Sequence, residues 1–207
     1  MTQHFIVENE KSARAFIKKV HPSKAQDKLI LYPLNKYTDP QEIPSYLNAC
    51  LEGEHIGVIS EAGVPGVADP GGEVVLLAHK RDIRVVPLVG PSSILMAMMA
   101  SGMNGQNFAF NGYLPIEKGE RSKKIKALEK LSQKTGQTQI FMETPYRNGK
   151  MLDDIIANCD PNTLLCIARD ISLEEEMIKT DKVKWWKSNK PDLDKRPTIF
   201  IIEGLQF

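Results

Sequence analysis

The sequence is poor in the residues that several function classes require. Its 207 residues include three cysteines, four histidines and two tryptophans. Cys50, Cys159 and Cys166 form no Cys-x-x-Cys pair, and each lies in an apolar stretch. Buried free thiols are therefore expected rather than a redox motif or a disulfide framework. His4, His21, His55 and His79 are scattered without metal-ligand spacing, so no metal site is expected. The chain carries no phosphate loop of the Gly-x-x-x-x-Gly-Lys-Ser/Thr type and no Gly-x-Gly-x-x-Gly fingerprint. It also has no Gly-x-Ser-x-Gly elbow. The densest apolar stretch, Ile94 to Ala100, is far shorter than the ~20 residues that span a bilayer. No apolar signal-peptide core follows Met1, so the expected location is the cytoplasm. A net charge of +1 excludes holding nucleic acid by bulk charge alone and leaves only a local basic patch for that purpose.

What is present reads as an ordinary folded chain, 42% hydrophobic and 26% charged. Short apolar runs at Phe5–Val7, Leu29–Tyr32, His55–Ser60 and Ile83–Leu88 read as strands. Helical spacing joins Ala13, Phe16, Ile17 and Val20, then Ile43, Leu47, Cys50 and Leu51. Val74–Ala78 and Ser93–Ala100 read as further helices. This alternation predicts right-handed crossovers and a parallel sheet covered on both faces. The turn-rich stretch 102–107 is the expected boundary between two small α/β domains, 1–104 and 105–207. The second domain reads as strands at Phe108–Asn111, Thr138–Glu143, Leu164–Ala168 and Thr198–Ile202, with helices at Arg121–Leu131 and Met151–Cys159. Val183–Trp186 is ambiguous, and the less regular end suits a mixed sheet.

Two loops stand out. Ser60-Glu-Ala-Gly-Val-Pro-Gly-Val-Ala-Asp-Pro-Gly-Gly72 follows a strand and precedes a helix, at the carboxyl end of a strand where open α/β sheets bind ligands. Its glycines permit close approach of the backbone to a ligand. Asp69 and Pro70 also read as a helix start, with Asp69 as N-cap. Val89-Gly-Pro-Ser-Ser93 has the same placement, and Ser92 or Ser93 is suited to cap the next helix. On 120–131, Arg121, Lys123, Lys124, Lys126 and Lys130 make a basic face, either solvated or an RNA contact, above an apolar side of Ile125, Leu128 and Leu131.

These runs, with Gly112-Tyr-Leu-Pro115, Glu143-Thr-Pro-Tyr-Arg147 and Ala168-Arg-Asp-Ile-Ser172 followed by Glu174 and Glu175, resemble in order and spacing the tetrapyrrole-methylase-fold methyltransferases. Within that family they resemble the branch that methylates small-subunit ribosomal RNA, from Phe5 to about Gly204. The resemblance implies two α/β domains with S-adenosylmethionine in a cleft between them, a homodimer, and a cytidine 2′-hydroxyl as acceptor. It places Ser60, Glu61, Ala62, Gly63 and Pro65 in the first cofactor loop, with Pro91, Ser92 and Ser93 beside the second. Gly112, Tyr113, Leu114 and Pro115 would open the second domain. Glu143, Thr144, Pro145, Tyr146 and Arg147 would line the cleft. Glu143 is the candidate base and Arg147 the group that orients the acceptor; a structural ion pair within one turn is the other reading of the two.

The sequence also departs from the branch. Glu8-Asn9-Glu10-Lys11 stands where the branch has Glu-Asp-Thr-Arg, and Asn35 stands without the flanking His and Glu. The resemblance further implies a strand and a Gly/Pro turn ahead of His4, whose lack would leave an open sheet edge. A methylase of a small tetrapyrrole-like molecule, and a non-catalytic RNA- or ribosome-binding protein, remain as alternatives.

Overall fold

The computed structural model describes residues 2–205. The chain divides into two compact units, Met1–Pro91 and Ser92–Phe207. In the first, strands β1 (His4–Val7), β2 (Ile30–Pro33) and β3 (Ile56–Ile59) alternate with helices α1 (Glu10–Val20), α2 (Ile43–Tyr46), α3 (Asn48–Leu51) and α4 (Gly72–Lys80). The sheet is parallel in the order β2-β1-β3. Val7 pairs with both Pro33 and Ile59. This flush register ends all three strands at one level, so the loops that begin at Glu8, Leu34 and Ser60 leave side by side.

Local chemistry explains most of these elements. Asn9 caps α1 by accepting from the amides of Lys11 (2.9 Å) and Ser12 (3.2 Å). The helix buries Ala13 and Ile17, whereas Phe16 and Val20, expected on the same face, are exposed. The apolar stretch from Ile43 to Leu51, expected as one helix, is two short turns separated at Leu47. The core of this unit joins Ile6, Leu34, Ile43, Tyr46, Leu47, Val74 and Ala78.

Ile83–Leu88, expected as a fourth strand, makes no ladder. Ile83 and Val85 pack against the core while Val86 and Leu88 stay exposed. Among the described residues its backbone has no paired strand. An apolar run reports burial; it does not by itself supply a hydrogen-bonding neighbour.

The second unit begins with α5 (Ser93–Ser101) and continues as β4 (Phe108–Tyr113), α6 (Lys118–Thr135), β5 (Thr138–Met142), a 3-10 turn at Pro145–Arg147 and α7 (Asn148–Asn158). It ends with β6 (Leu164–Arg169), β7 (Met177–Lys182), α8 (Val183–Trp186) and β8 (Thr198–Glu203). The sheet is mixed, in the order β4-β5-β8-β6-β7; β4 and β5 run parallel and the other pairs are antiparallel. Both faces are covered. Phe141, Leu165, Ile167, Phe200 and Ile202 meet Ile125, Leu128, Leu152 and Ile155 on one side. Ile140, Cys166, Ala168, Ile199 and Ile201 meet Ala97 and Met98 on the other.

That second layer accounts for where the units divide. The boundary expected at 104/105 lies beyond α5, yet Ala97 and Met98 of α5 belong to the core of the second sheet. β7 was not expected, because Met-Ile-Lys-Thr-Asp-Lys is too polar to stand out. Val183–Trp186 resolves as a helical turn that buries Trp186, whose Nε1 donates to Leu165 O at 2.9 Å. Cys159 and Cys166 are buried free thiols, while Cys50 is only half-buried. Among the described residues no helix is long and apolar enough to cross a membrane.

Candidate functional site

The three adjacent strand ends of the first unit enclose a cavity of about 530 Å³. Glu8 and Asn9 come from the end of β1, Asn35, Lys36 and Tyr37 from the end of β2, and Glu61 and Pro70 from the loop after β3. Side-chain bonds tie these loops together. The Glu61 amide donates to Glu8 Oε1 (2.9 Å), and Asn35 Nδ2 donates to Glu8 O (3.0 Å). Ser12 Oγ donates to Glu61 Oε1. The turn after β2 is closed from within: Tyr37 N donates to Asn35 Oδ1 (3.0 Å), and Asn35 N to Thr38 Oγ1 (2.9 Å). Lys36 Nζ sits 4.8 Å from the Tyr37 ring centroid.

The Gly/Pro loop is a built structure rather than a slack connection. Val67 N donates to Val64 O (3.0 Å) across Pro65-Gly66, with Gly66 at φ +79. Proline followed by a residue at positive φ fits the central pair of a type II turn. Gly66 N then donates to Pro70 O (3.2 Å). Gly71 has φ +129, and a Cβ there would lie 3.4 Å from Gly66 N and 3.5 Å from Val58 Cγ1. A Cβ at those distances would make ordinary van der Waals contact, so it is the positive φ that calls for glycine. Asp69, expected as the N-cap of α4, is not the cap; that position falls to Gly71, with no side-chain bond. Asp69 instead hydrogen-bonds Ser60. Burial and the nearby Glu8 charge push its carboxyl above the ordinary value, against the lowering effect of the Ser60 bond.

Of the residues expected to hold a cofactor, Ser60, Glu61, Ala62, Gly63 and Pro65 lie together in this loop. Pro91 ends the first unit. Ser92 occupies the N-cap position of α5, but its hydroxyl makes no capping bond and Ser93 opens the helix. In the second unit, Gly112 and Tyr113 end β4 and Glu143 follows β5. Tyr113 pairs with Met142, which brings these expected residues to one edge of the parallel pair.

Glu143 is buried, and Arg147 Nη2 donates to its Oε1 at 2.7 Å, as does Thr144 N at 2.6 Å. Burial pushes the Glu143 carboxyl up, but the Arg147 and Thr144 hydrogen bonds and the guanidinium charge outweigh it and hold the carboxyl below its ordinary value. The ion pair foreseen as the alternative reading is therefore formed. Glu143 Oε2 and Asn148 Oδ1 are buried without a hydrogen-bond partner. Two orphaned acceptors are suited to a donor such as an amine or hydroxyl.

The basic face of α6 is smaller than expected. Arg121 is buried in an ion pair with Asp154 (Nη2 to Oδ2, 2.5 Å) and leaves that face, while Leu131 is exposed rather than packed. Lys123, Lys124, Lys126 and Lys130 remain exposed. Glu8, Asn9, Lys36 and Tyr37 were missed as site residues. Their signal was positional: Glu8 and Asn9 follow one expected strand, and Lys36 and Tyr37 lie in the turn after another, at the end where ligands bind. Among the described residues no cluster of three His, Cys, Asp or Glu side chains is suited to hold a metal.

Comparison with known proteins fits this geometry. Ribosomal RNA small subunit methyltransferase I of Buchnera aphidicola (subsp. Schizaphis graminum) is 32% identical over 183 residues, covering 86% of this chain and 63% of that protein. Its Escherichia coli O157:H7 counterpart is 29% identical over 177 residues, covering 84% and 60%. The chain thus spans about three fifths of the length of these relatives. Among solved structures, the methyltransferase CobJ aligns with a TM-score of 0.58 at 15% identity, covering 99% of this chain and 95% of that one. Cobalt precorrin-4 methyltransferase CbiF aligns with the same TM-score at 16% identity, covering 98% and 84%. At these identities the likeness concerns the fold. The family model for Tetrapyrrole (Corrin/Porphyrin) Methylases matches residues 8–184, and with the α/β units and the strand-end loops in place, the chain belongs to that family.

Proposed function

We propose that this chain acts in S-adenosylmethionine-dependent methylation of small-subunit ribosomal RNA, with a ribose 2′-hydroxyl as acceptor. The observation that carries the reading is the hydrogen-bonded Gly/Pro loop 60–72 beside the strand-end cavity, in a chain whose curated relatives are named as small-subunit ribosomal RNA methyltransferases. The residues suit the donor, which bears a sulfonium, an ammonium and ribose hydroxyls. Glu61 supplies a carboxylate for cationic and hydroxyl groups, and glycine at 71 gives the loop its φ of +129. When bound, the cofactor supplies an activated methyl group.

The protein's part is placement. Transfer to an oxygen is an in-line displacement, and holding the acceptor in line supplies much of the rate. The hydroxyl proton also needs an acceptor. With Glu143 Oε1 engaged by Arg147 and Thr144, Glu143 anchors and orients, and Arg147 is committed to it. Asp69, hydrogen-bonded to Ser60 in the loop 60–72 and with its carboxyl held above the ordinary value by burial and Glu8, is the candidate base of the first unit. The reading includes a homodimer working in the cytoplasm, tested by light scattering and by fractionation.

Calorimetry with S-adenosylhomocysteine, followed by transfer of labelled methyl to small-subunit RNA, tests the reading. Binding and label in the 2′-O-methyl nucleoside are expected. Label on a porphyrin but not on RNA would overturn the acceptor assignment, and RNA binding without cofactor binding would favour a non-catalytic role.

A further inference from the structure

We infer that Tyr37 is the stacking platform for a single unpaired nucleobase of the RNA, and that the cavity beneath it selects a nucleoside over a polycarboxylated macrocycle. The inference rests on the RNA reading above and deepens it. Tyr37 is 83% exposed although it rims a cavity at the ligand-binding edge of the sheet. The chain spends several polar groups on fixing its backbone. Asn35 is bonded on both sides of its amide, to Tyr37 N and to Glu8 O, and Thr38 Oγ1 ties the turn to Pro33 O at 3.0 Å. A ring presented on so well-braced a turn loses little further freedom when a ligand stacks on it.

Charge decides what the ring receives. The cavity wall carries Glu8 and Glu61, with Asp69 close to Glu8, against the single cation Lys36. A macrocycle bearing several carboxylates would meet like charge there. An uncharged base would not, and its ribose hydroxyls can donate to Glu8. Glu8 Oε1 is already engaged by the Glu61 amide, which leaves its other oxygen to accept. Lys36, lying over the Tyr37 ring, is the one lining group suited to a flanking phosphate. Stacking of a base on an aromatic ring is sequence-tolerant. Tyr37 is therefore a positioning residue that admits any unpaired nucleotide, and discrimination falls to other groups.

The test uses the whole chain and a fluorescein-labelled single-stranded RNA decamer of mixed sequence, read by anisotropy. Tyr37→Ala should weaken binding roughly ten-fold, and Tyr37→Phe by less than about two-fold. Lys36→Ala should lower the slope of affinity against salt, while Tyr37→Ala should leave that slope unchanged. Uroporphyrin in excess should not displace the RNA. Independently of any variant, 2-aminopurine in the decamer should be quenched on binding the unaltered protein. Equal affinity of the Ala variant and the unaltered protein, equal weakening by Ala and Phe, displacement by uroporphyrin, or unquenched 2-aminopurine would each overturn the inference. Binding of S-adenosylhomocysteine to the unaltered protein keeps the two readings apart. If the cofactor product binds and the Tyr37 results fail, only the platform is lost; if it does not bind, the methyltransferase reading fails first.

Discussion

One ion pair, Glu143 with Arg147, and one glycine, Gly71, carry the clearest consequences for stability and for the loop. The Glu143 side chain is 1% exposed and Arg147 about a third exposed. Removing the guanidinium leaves a buried carboxylate with only the Thr144 backbone and side-chain hydrogen bonds. Arg147→Ala should lower stability, by less than the loss of a fully buried pair because solvent reaches the arginine. Urea unfolding at neutral pH measures it. The pH dependence has a definite sign. A carboxyl held below its unfolded value contributes stability above the ordinary carboxylate range and loses it as pH falls through the lowered value. Between about pH 7 and about pH 3, the unaltered protein should therefore lose more stability than Glu143→Gln. Equal losses would show that Glu143 is not the linked group. Gly71 gives a second prediction. With φ +129, which L side chains rarely adopt, Gly71→Ala should destabilise by about 1–3 kcal/mol and weaken cofactor binding. Calorimetry against S-adenosylhomocysteine, with a melting curve on the same sample, reads both.

The elements differ in how they are held. β5, β6 and β8 are paired on both edges and covered on both faces. Ile83–Leu88 is packed on one side only and has no ladder. Hydrogen exchange should separate them: amides of 84–88 should exchange orders of magnitude faster than those of β8. Slow exchange at 84–88 would mean that a pairing partner exists in solution. The same contrast explains what could be read in advance. The continuous apolar strands of the second unit and the helices α1 and α6 were legible, because apolar spacing is local. Ile83–Leu88 misled because an apolar run encodes burial and pairing is non-local. β7 was hidden because its polarity suits a sheet edge. The loop 60–72 was legible as a site from its glycines and prolines. The Glu8, Lys36 and Tyr37 walls were not, since only the flush ends of β1, β2 and β3 bring them to one cavity. Arg121 looked like surface charge until Asp154, 33 residues on, proved to be its partner.

At the scale of the whole molecule, two cores of unequal size imply unequal stability. The first unit has three short strands, with β3 half-exposed along its length. Its core cluster is held by seven buried residues. The second unit has a five-stranded sheet with a buried cluster on each face, and Trp186, Phe141 and Phe200 are fully enclosed. Apolar burial sets the scale of stabilisation at roughly 25 cal/mol per Å². The unit that covers both sheet faces with aromatic and branched side chains should unfold last. We expect two thermal transitions rather than one, with the first reporting loss of the Met1–Pro91 unit. Tryptophan emission separates them cleanly, because Trp185 and Trp186 both lie in the second unit and should change only in the later transition. The fragment 92–207 should also fold alone, since α5 carries its own share of the second core and the boundary at Pro91/Ser92 keeps it attached. A fragment starting at 105, where the turn-rich stretch suggested the break, would lack Ala97 and Met98 against Ile140 and Ile201. It should lose cooperative unfolding or bind hydrophobic dye. Equal stability of the two fragments would refute the assignment of α5 to the second core.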